Sequence, residues 1–154
     1  MRAEHVRPEE DGANSQARTM NHLAILVCAV SVFLLGGPWY SKAMFLRPWA
    51  KANGIDTDAR DKSQSKHPAR VFGISFLMGW IAAYAFAILV GHGHGPLPLI
   101  HWMHHGFVCG FGIAATSFAI NYQFANKPFA LLLIDGGYHL VQFTLYGLIL
   151  GLWQ

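Results

Sequence analysis

Long apolar stretches alternate with short polar ones along the chain, and the apolar stretches determine the predicted architecture. No Asp, Glu, Lys or Arg occurs from Thr19 to Ser41 or from Val71 to Asn126, and Asp135 is the only such residue from Phe129 to Trp153. About 20 consecutive apolar residues span a bilayer as a helix. A helix in a soluble core would carry a charged face, which these stretches lack. We therefore predict an all-α integral membrane protein.

Turn-forming residues divide the apolar stretches into four predicted transmembrane helices. Pro38 is expected to end the first helix, and the Gly- and Pro-rich stretch from Gly91 to Pro98 separates the second from the third. The domain is predicted to cover residues 20–154. Residues 1–19 are polar, which predicts a disordered tail unless the natural start is Met20. The predicted helices cover about residues 21–41, 71–90, 98–121 and 129–153.

The first loop, from Lys42 to Arg70, contains seven of the 11 Lys and Arg residues. With Lys127 in the third loop, it predicts by the positive-inside rule that both basic loops face the cytoplasm and both termini lie outside. The membrane would then be a bacterial inner membrane. Residues 43–50 form an amphipathic pattern that predicts a short helix in the membrane interface, which Asn53-Gly54 is expected to end.

The remaining composition narrows the class of protein. Only 12% of residues are charged, against roughly 25% in soluble domains. The net charge of +3 is explained by the first loop and gives no reason to expect a nucleic-acid partner. Cys28 and Cys109 lie in apolar stretches and are predicted to be free thiols. No Ser-His-Asp spacing, nucleotide-binding loop or HExxH motif occurs, so we expect no enzymatic activity.

The last predicted helix carries a polar stripe. Its residues lie at helical spacing and so share one face: Asp135, Tyr138, His139, Gln142 and Tyr146. A carboxylate is costly in hydrocarbon, so Asp135 must face protein, water or a partner. His105 on the third helix is expected at a depth close to that of His139. We therefore predict a polar centre with an ion-linked or transport-related role, formed by Asp135, His139, Gln142, Tyr138 and His105.

Two other functions stay open at this point. The same stripe can lock helices together in a structural or assembly subunit of a membrane complex. Alternatively, His101, His104 and His105 share a helix face, follow His92 and His94 in the preceding turn, and match a spacing that can chelate a metal, while His105 and His139 would be the pair able to ligate haem. Neither a nearby Cys nor a second metal motif accompanies them. We therefore expect no cofactor.

Two pairs of glycines predict where helices approach closely. Gly106 and Gly110 lie one turn apart in the third predicted helix, and Gly147 and Gly151 in the fourth. A small-xxx-small pattern allows the backbones of membrane helices to come together. Because four helices make a thin wall around any path, we also expect a homo-oligomer within the lipid bilayer, with an unidentified ion or small molecule as ligand.

Several short motifs follow one another from about Met20 to Trp153. They are Met20-Asn21, Gly37-Pro38-Trp39-Tyr40-Ser41 with the aromatic and basic string to Trp49, Asn121 with Phe124 and Pro128, and Asp135-Gly136-Gly137-Tyr138-His139 followed by Gly147, Gly151 and Trp153. Together these motifs resemble the bacterial membrane proteins of domain of unknown function 1761. The resemblance implies a four-helix integral membrane protein and assigns no activity.

Overall fold

A computed structural model describes residues 20–56, 68–91 and 97–153 of the protein. This part of the chain contains helices and no strand. The predicted tail, much of the first loop, and His92 and His94 lie outside the described residues. The helices are α1 (His22–Trp39), α2 (Leu46–Asn53), α3 (Pro68–Gly91), α4 (Leu99–Phe124) and α5 (Phe129–Leu152).

The ends of the first two helices follow from local chemistry. The side chain of Asn21 caps α1 by accepting a hydrogen bond of 3.0 Å from the Ala24 amide. At its other end α1 stops one residue after Pro38, which cannot donate a hydrogen bond to the preceding turn. Helix α2 ends at Gly54, whose φ of 68° is the left-handed conformation that glycine adopts at helix ends. This is the stop that Asn53-Gly54 predicts.

Three helices, α1, α3 and α4, are long and apolar enough to cross a membrane, rather than the predicted four. The exception is α5, which has 24 residues and is therefore as long as α3. Every run of 18 residues in α5 contains the whole polar stripe from Asp135 to Tyr146, which lowers the mean hydropathy of each run. The stripe that we predicted as the polar centre of a fourth span is therefore what separates α5 from the other three.

Helix α5 is the inner helix of the bundle. It packs against each of the other four helices. The apolar windows of α1, α3 and α4 are only 28%, 22% and 17% buried inside the protein, so most of their surface faces outward. The buried positions of α5 include Asp135, Gln142 and Tyr146. The polar stripe therefore faces the other helices, as the cost of exposing a carboxylate to hydrocarbon requires.

All four predicted glycines lie where α4 and α5 pack against each other. A Cβ at Gly106 would overlap the main-chain carbonyl of Phe143, and one at Gly147 would overlap that of Trp102. A Cβ at Gly110 would lie 2.7 Å from the Cα of Leu140. Gly151 differs from these three, because its Cβ would meet the side chains of Leu99 and Trp102. At the other three positions the two helices thus touch backbone to backbone, which only glycine permits.

A π-helical segment, Cys109–Ala115, interrupts α4 in its middle. It changes the spacing of the residues that face α5. Gly110 packs against Leu140, and five residues later Ala115 packs against Gly136. This five-residue step is the spacing of a π turn, whereas an α turn would bring residue 114 to the same face. The segment therefore sets which residues of the last part of α4 face α5.

Candidate functional site

The carboxylate of Asp135 is held by two tyrosines from other helices. The Tyr40 hydroxyl donates a hydrogen bond of 2.8 Å to Oδ1, and the Tyr122 hydroxyl donates one of 2.6 Å to Oδ2. Tyr40 directly follows α1 and Tyr122 lies near the end of α4, so the carboxylate joins three helices at one end of the bundle. Asp135 is 8% exposed. The two hydroxyl donors replace the water that a buried carboxylate loses.

Aromatic contacts fix Tyr40 in place. Its ring lies 5.8 Å from that of Trp49 in α2 and 5.5 Å from that of Tyr138 in α5. The preceding residue, Trp39, donates a hydrogen bond of 3.1 Å from Nε1 to the carbonyl of Ile134. Burial of the hydroxyl raises the pKa of Tyr40, and its hydrogen bond to Asp135 raises it further. Tyr40 therefore keeps its proton and remains a donor at neutral pH.

His139 lies one helical turn after Asp135 and packs among aromatic rings. Its imidazole stacks on Phe118 at 5.0 Å between ring centroids, and meets Tyr138 edge to face at 5.1 Å. The side chains of Asp135 and His139 share one face of α5, and both line the same cavity. They form the polar pair of this site. Phe118 occupies its position because the π segment turns this part of α4 toward α5.

The rest of the stripe ties α5 to its neighbours. The Tyr138 hydroxyl donates to the carbonyl of Val32 in α1, and the Tyr146 hydroxyl donates to that of Gly79 in α3, each at 3.1 Å. Gln142 donates from Nε2 to the Tyr146 hydroxyl at 2.7 Å. The Oε1 atom of Gln142 is buried without a hydrogen-bond partner among the described residues. This part of the stripe accordingly fastens helices together.

A cavity of about 820 Å³ lies beside the carboxylate, between α1, α2, α3 and α5. Volumes of roughly 300–1,000 Å³ are usual for sites that bind small molecules. Among the described residues that line it, Asp135 is the only Asp, Glu, Lys or Arg. His139 lies on the same wall. The aromatic residues of the lining are Phe33, Tyr40, Trp49, Phe72, Phe118 and Tyr138.

Comparison with known proteins identifies the family of the chain. The family model described as protein of unknown function (DUF1761) matches residues 23–151. The chain belongs to the DUF1761 family. The resemblance that the sequence motifs indicate is thereby confirmed, and the matched range includes Asp135, Tyr40 and Tyr122. No curated protein and no solved structure matches the chain.

In this DUF1761 protein, the predicted polar centre is only partly assembled. Asp135, Tyr138 and His139 lie together on the cavity wall, whereas Gln142 lies deeper and bonds to Tyr146. His105 is not part of the group. It is exposed on the outer side of α4, with its Nδ1 atom 2.6 Å from the carbonyl oxygen of His101. Because Gly106 faces α5, the preceding residue is turned about 100° away from it.

The three histidines predicted as a metal site line a different pocket. His101, His104 and His105 surround a space of about 710 Å³ on the outer side of α4, with Ile100, Met103 and Phe107. Among the described residues, no group of three His, Cys, Asp or Glu side chains is placed to hold a metal ion. His92 and His94 lie outside those residues. The structure thus separates the histidine cluster from the Asp135 centre.

The sequence interpretation missed the two tyrosines that bind Asp135. Each lies at the end of an apolar stretch, where an aromatic residue is ordinarily assigned to the membrane interface. A signal was nevertheless present. Alternating helix directions place Tyr40, Tyr122 and the beginning of the last helix at the same end of the bundle, and a buried carboxylate requires donors. Tyrosine hydroxyls at that end of the bundle could therefore have been predicted as the partners of Asp135.

Proposed function

We propose that this DUF1761 protein is a small multi-pass integral membrane protein with an ion-linked, transport-related function, centred on Asp135 and His139. The observation that supports it is the carboxylate of Asp135, buried beside a cavity of about 820 Å³ and held by two hydroxyl donors. An ionisable side chain at membrane depth is costly and commonly marks the path of an ion or substrate. The pair with His139 adds a second group able to exchange a proton.

In this proposal α5 lies at membrane depth with α1, α3 and α4, as the inner helix of the group. Its length of 24 residues and its packing against the three apolar helices support this placement. Its polar side chains face those helices, so they avoid lipid without leaving the hydrocarbon region. Helix α2 would lie in the interface, where its basic residues Arg47 and Lys51 reach the head groups.

We further propose that the end of the bundle near Asp135 faces the cytoplasm of a bacterial inner membrane. Lys127 donates a hydrogen bond of 3.5 Å to Asn53, which brings the third loop beside the basic α2. At the opposite end, Asn21 donates to the carbonyl of Trp153 at 3.4 Å, so the start of α1 and the end of α5 lie together. Positive charge gathered at one end supports a cytoplasmic position for that end and an external one for both termini.

Orientation is testable by cysteine labelling. Cysteines would be introduced at Lys127 and at Asn21 in a chain whose Cys28 and Cys109 are replaced by serine. A membrane-impermeant maleimide applied to intact cells should label position 21 and leave position 127 unlabelled until the cells are opened. The reverse pattern would mean that the proposed orientation is inverted.

A second candidate function, that of a structural or assembly subunit, is favoured by the bonds of Tyr138 and Tyr146. Both hydroxyls fasten α5 to main-chain carbonyls of neighbouring helices, as a packing role requires. The two candidates differ in what Asp135→Asn should do. In a transporter the variant folds and loses flux, whereas in a scaffold it loses stability or partner association and no flux is altered.

Flux through reconstituted vesicles decides between them. Purified protein in proteoliposomes would be given a potassium diffusion potential, with a proton-sensitive dye inside one set of vesicles and a sodium-sensitive dye inside another. We expect flux of one ion above that of empty vesicles, and its loss in Asp135→Asn. The matched control is His104→Ala on the outer side of α4. Flux equal to that of empty vesicles for both ions, or flux unchanged in Asp135→Asn, would overturn the proposal.

The expected homo-oligomer is part of this proposal. The apolar faces of α3 and α4 point outward, and they offer the area on which a second copy or lipid would pack. Native mass measurement in detergent should give a multiple of the 17.0 kDa chain. A mass of one chain in several detergents would contradict the oligomer, and the site would then lie within a single bundle.

A further inference from the structure

The charge of the cavity lining limits the ligands that fit it. Asp135 is the one Asp, Glu, Lys or Arg among the described lining residues, and both of its oxygens accept hydrogen bonds from tyrosine hydroxyls. Each carboxylate oxygen has a second lone pair, so the group can still accept a bond from a ligand. An anionic ligand would meet repulsion here, and a neutral one would leave the carboxylate without a counter-charge. The complementary ligand is a cation.

The other lining residues separate organic cations from inorganic ones. Bare Na⁺, Ca²⁺ or Mg²⁺ requires several oxygen ligands in a closed shell. Here six of the 14 described lining residues are aromatic, among them Tyr40, Trp49 and Phe118, and most of the others are aliphatic or glycine. Aromatic faces attract ammonium and phosphonium groups and pack against their apolar substituents. The lining therefore suits a cation that carries its own apolar surface.

The size and position of the cavity agree with such a ligand. A volume of about 820 Å³ exceeds the need of a single ion and accommodates a small organic molecule. Part of the rim is formed by Val71 and Phe72 at the beginning of α3, which are 53% and 60% exposed. These are apolar side chains on the outer surface of the bundle. A ligand with apolar groups can make favourable contacts with these side chains as it enters the cavity, whereas a hydrated ion cannot.

We propose that the cavity binds a lipophilic organic monocation, with its charge beside Asp135 and its apolar groups against Tyr40, Trp49 and Phe118. The proposal rests on the function proposed above, and it names the class of substrate that the same site would take. In the bound state the carboxylate keeps its hydrogen bonds from Tyr40 and Tyr122 and faces the positive centre of the ligand. The aromatic rings surround the substituents of that centre.

Two probe ions of equal shape and opposite charge test the proposal. Tetraphenylphosphonium and tetraphenylborate have nearly the same size and apolar surface, so a difference in their binding reports the sign of the charge. Binding to detergent-purified full-length protein would be measured by equilibrium dialysis, with detergent alone as the blank. We expect saturable binding of tetraphenylphosphonium and none of tetraphenylborate. Equal binding of both ions, or no saturable binding of the cation to folded protein, would overturn the proposal.

Two substitutions locate the binding within the cavity. Asp135→Asn keeps the size of the side chain and removes its charge, and should weaken tetraphenylphosphonium binding by at least about 30-fold. Trp49→Leu removes an aromatic face and leaves Asp135 with both tyrosines, and should weaken it by about fivefold to tenfold. His104→Ala, in the separate outer pocket, should bind like the unaltered protein. Trp49→Leu remains informative if Asp135→Asn fails to fold, and cation binding unchanged in Trp49→Leu counts against the site.

Binding and flux measured on the same protein keep the two proposals distinct. Cation binding that depends on Asp135, in vesicles whose proton and sodium fluxes equal those of empty vesicles, would support the ligand class and overturn the transport function. Proton or sodium flux that depends on Asp135, without binding of the phosphonium ion, would support transport and overturn the ligand class. Loss of both in folded, monodisperse protein would overturn both.

Discussion

The Tyr122 hydroxyl donates a hydrogen bond of 2.6 Å to Oδ2 of Asp135, across the junction between α4 and α5. A hydrogen bond to an ionised group is stronger than one between neutral groups, and it has a larger effect where water is excluded. The bond does two things at once: it holds two successive helices in one arrangement, and it keeps the carboxylate at the cavity wall.

Removing this hydroxyl should therefore destabilise the fold. Tyr122→Phe is expected to lower the free energy of unfolding by about 1–3 kcal/mol, because a buried carboxylate loses a donor. The measurement is unfolding of the purified protein in mixed micelles. Tyr84→Phe is the matched control, since the Tyr84 ring stacks on His22 and its hydroxyl bonds to none of the described residues. In a protein that already carries Asp135→Asn, Tyr122→Phe should lower the free energy of unfolding by less than it does in the unaltered protein. An equal loss in both proteins would show that the two groups are not coupled.

The glycines between α4 and α5 give a second prediction. Gly147→Ala should lower the free energy of unfolding by at least about 2 kcal/mol, because its methyl group would overlap the carbonyl of Trp102 and force the helices apart. Gly73→Ala and Gly112→Ala are matched controls, since a Cβ at either position meets nothing within 4 Å. Those two should be neutral or stabilising by up to about 1 kcal/mol, as alanine favours helix over glycine. Equal effects at positions 147 and 112 would mean that close packing does not limit stability here.

The helices and the inner position of the stripe were predictable from the sequence because they depend on hydropathy and local chemistry. Stretches without charge indicated the apolar helices, and Asn53-Gly54 indicated the end of α2. A polar stripe at helical spacing has to face protein at membrane depth, so the inward orientation of Asp135 and Tyr146 also followed. The count of apolar helices was wrong for the same reason, since no part of α5 that is long enough to cross a membrane lies outside that stripe.

The composition of the site was less predictable because it depends on how the helices are rotated against each other. The prediction placed His105 beside His139 because the two residues were expected at a similar depth in the membrane. In the structure Gly106 packs closely against α5, and His105 therefore lies on the outer side of α4. The π segment was not predicted, and it decides that Phe118 and Tyr122 face α5. Neither rotation was predicted from the sequence of α4, in which no Asp, Glu, Lys or Arg marks one face.

The π segment supports a third prediction. Deleting Gly112 removes the additional residue of the wide turn, so Ala115 then follows Gly110 by four residues, which is the spacing of an α turn. Residues 109–115 should become α-helical while Tyr122 keeps its bond to Asp135, so the free energy of unfolding should stay within about 1 kcal/mol of the original. Deleting Ser117 as well leaves no wide turn to absorb the change and should rotate the following residues by about 100°. Tyr122 would then lose Asp135, so the double deletion should lose at least as much stability as Tyr122→Phe while far-ultraviolet circular dichroism stays helical. Equal stability of the single and the double deletion variants would show that the wide turn does not set the position of Tyr122.

The separation of the histidines from Asp135 leads to the last prediction. Protein purified in detergent without added metal should contain no stoichiometric transition metal and show no Soret absorption. His101 and His105 are one turn apart, but a carbonyl already occupies the Nδ1 atom of His105, and no third ligand joins them among the described residues. Elemental analysis with an absorption spectrum measures both. Bound metal that is lost in a His104→Ala/His105→Ala variant and kept in Asp135→Asn would place a metal site on the outer side of α4. Metal lost only when His92 and His94 are replaced would place it in the turn that precedes α4.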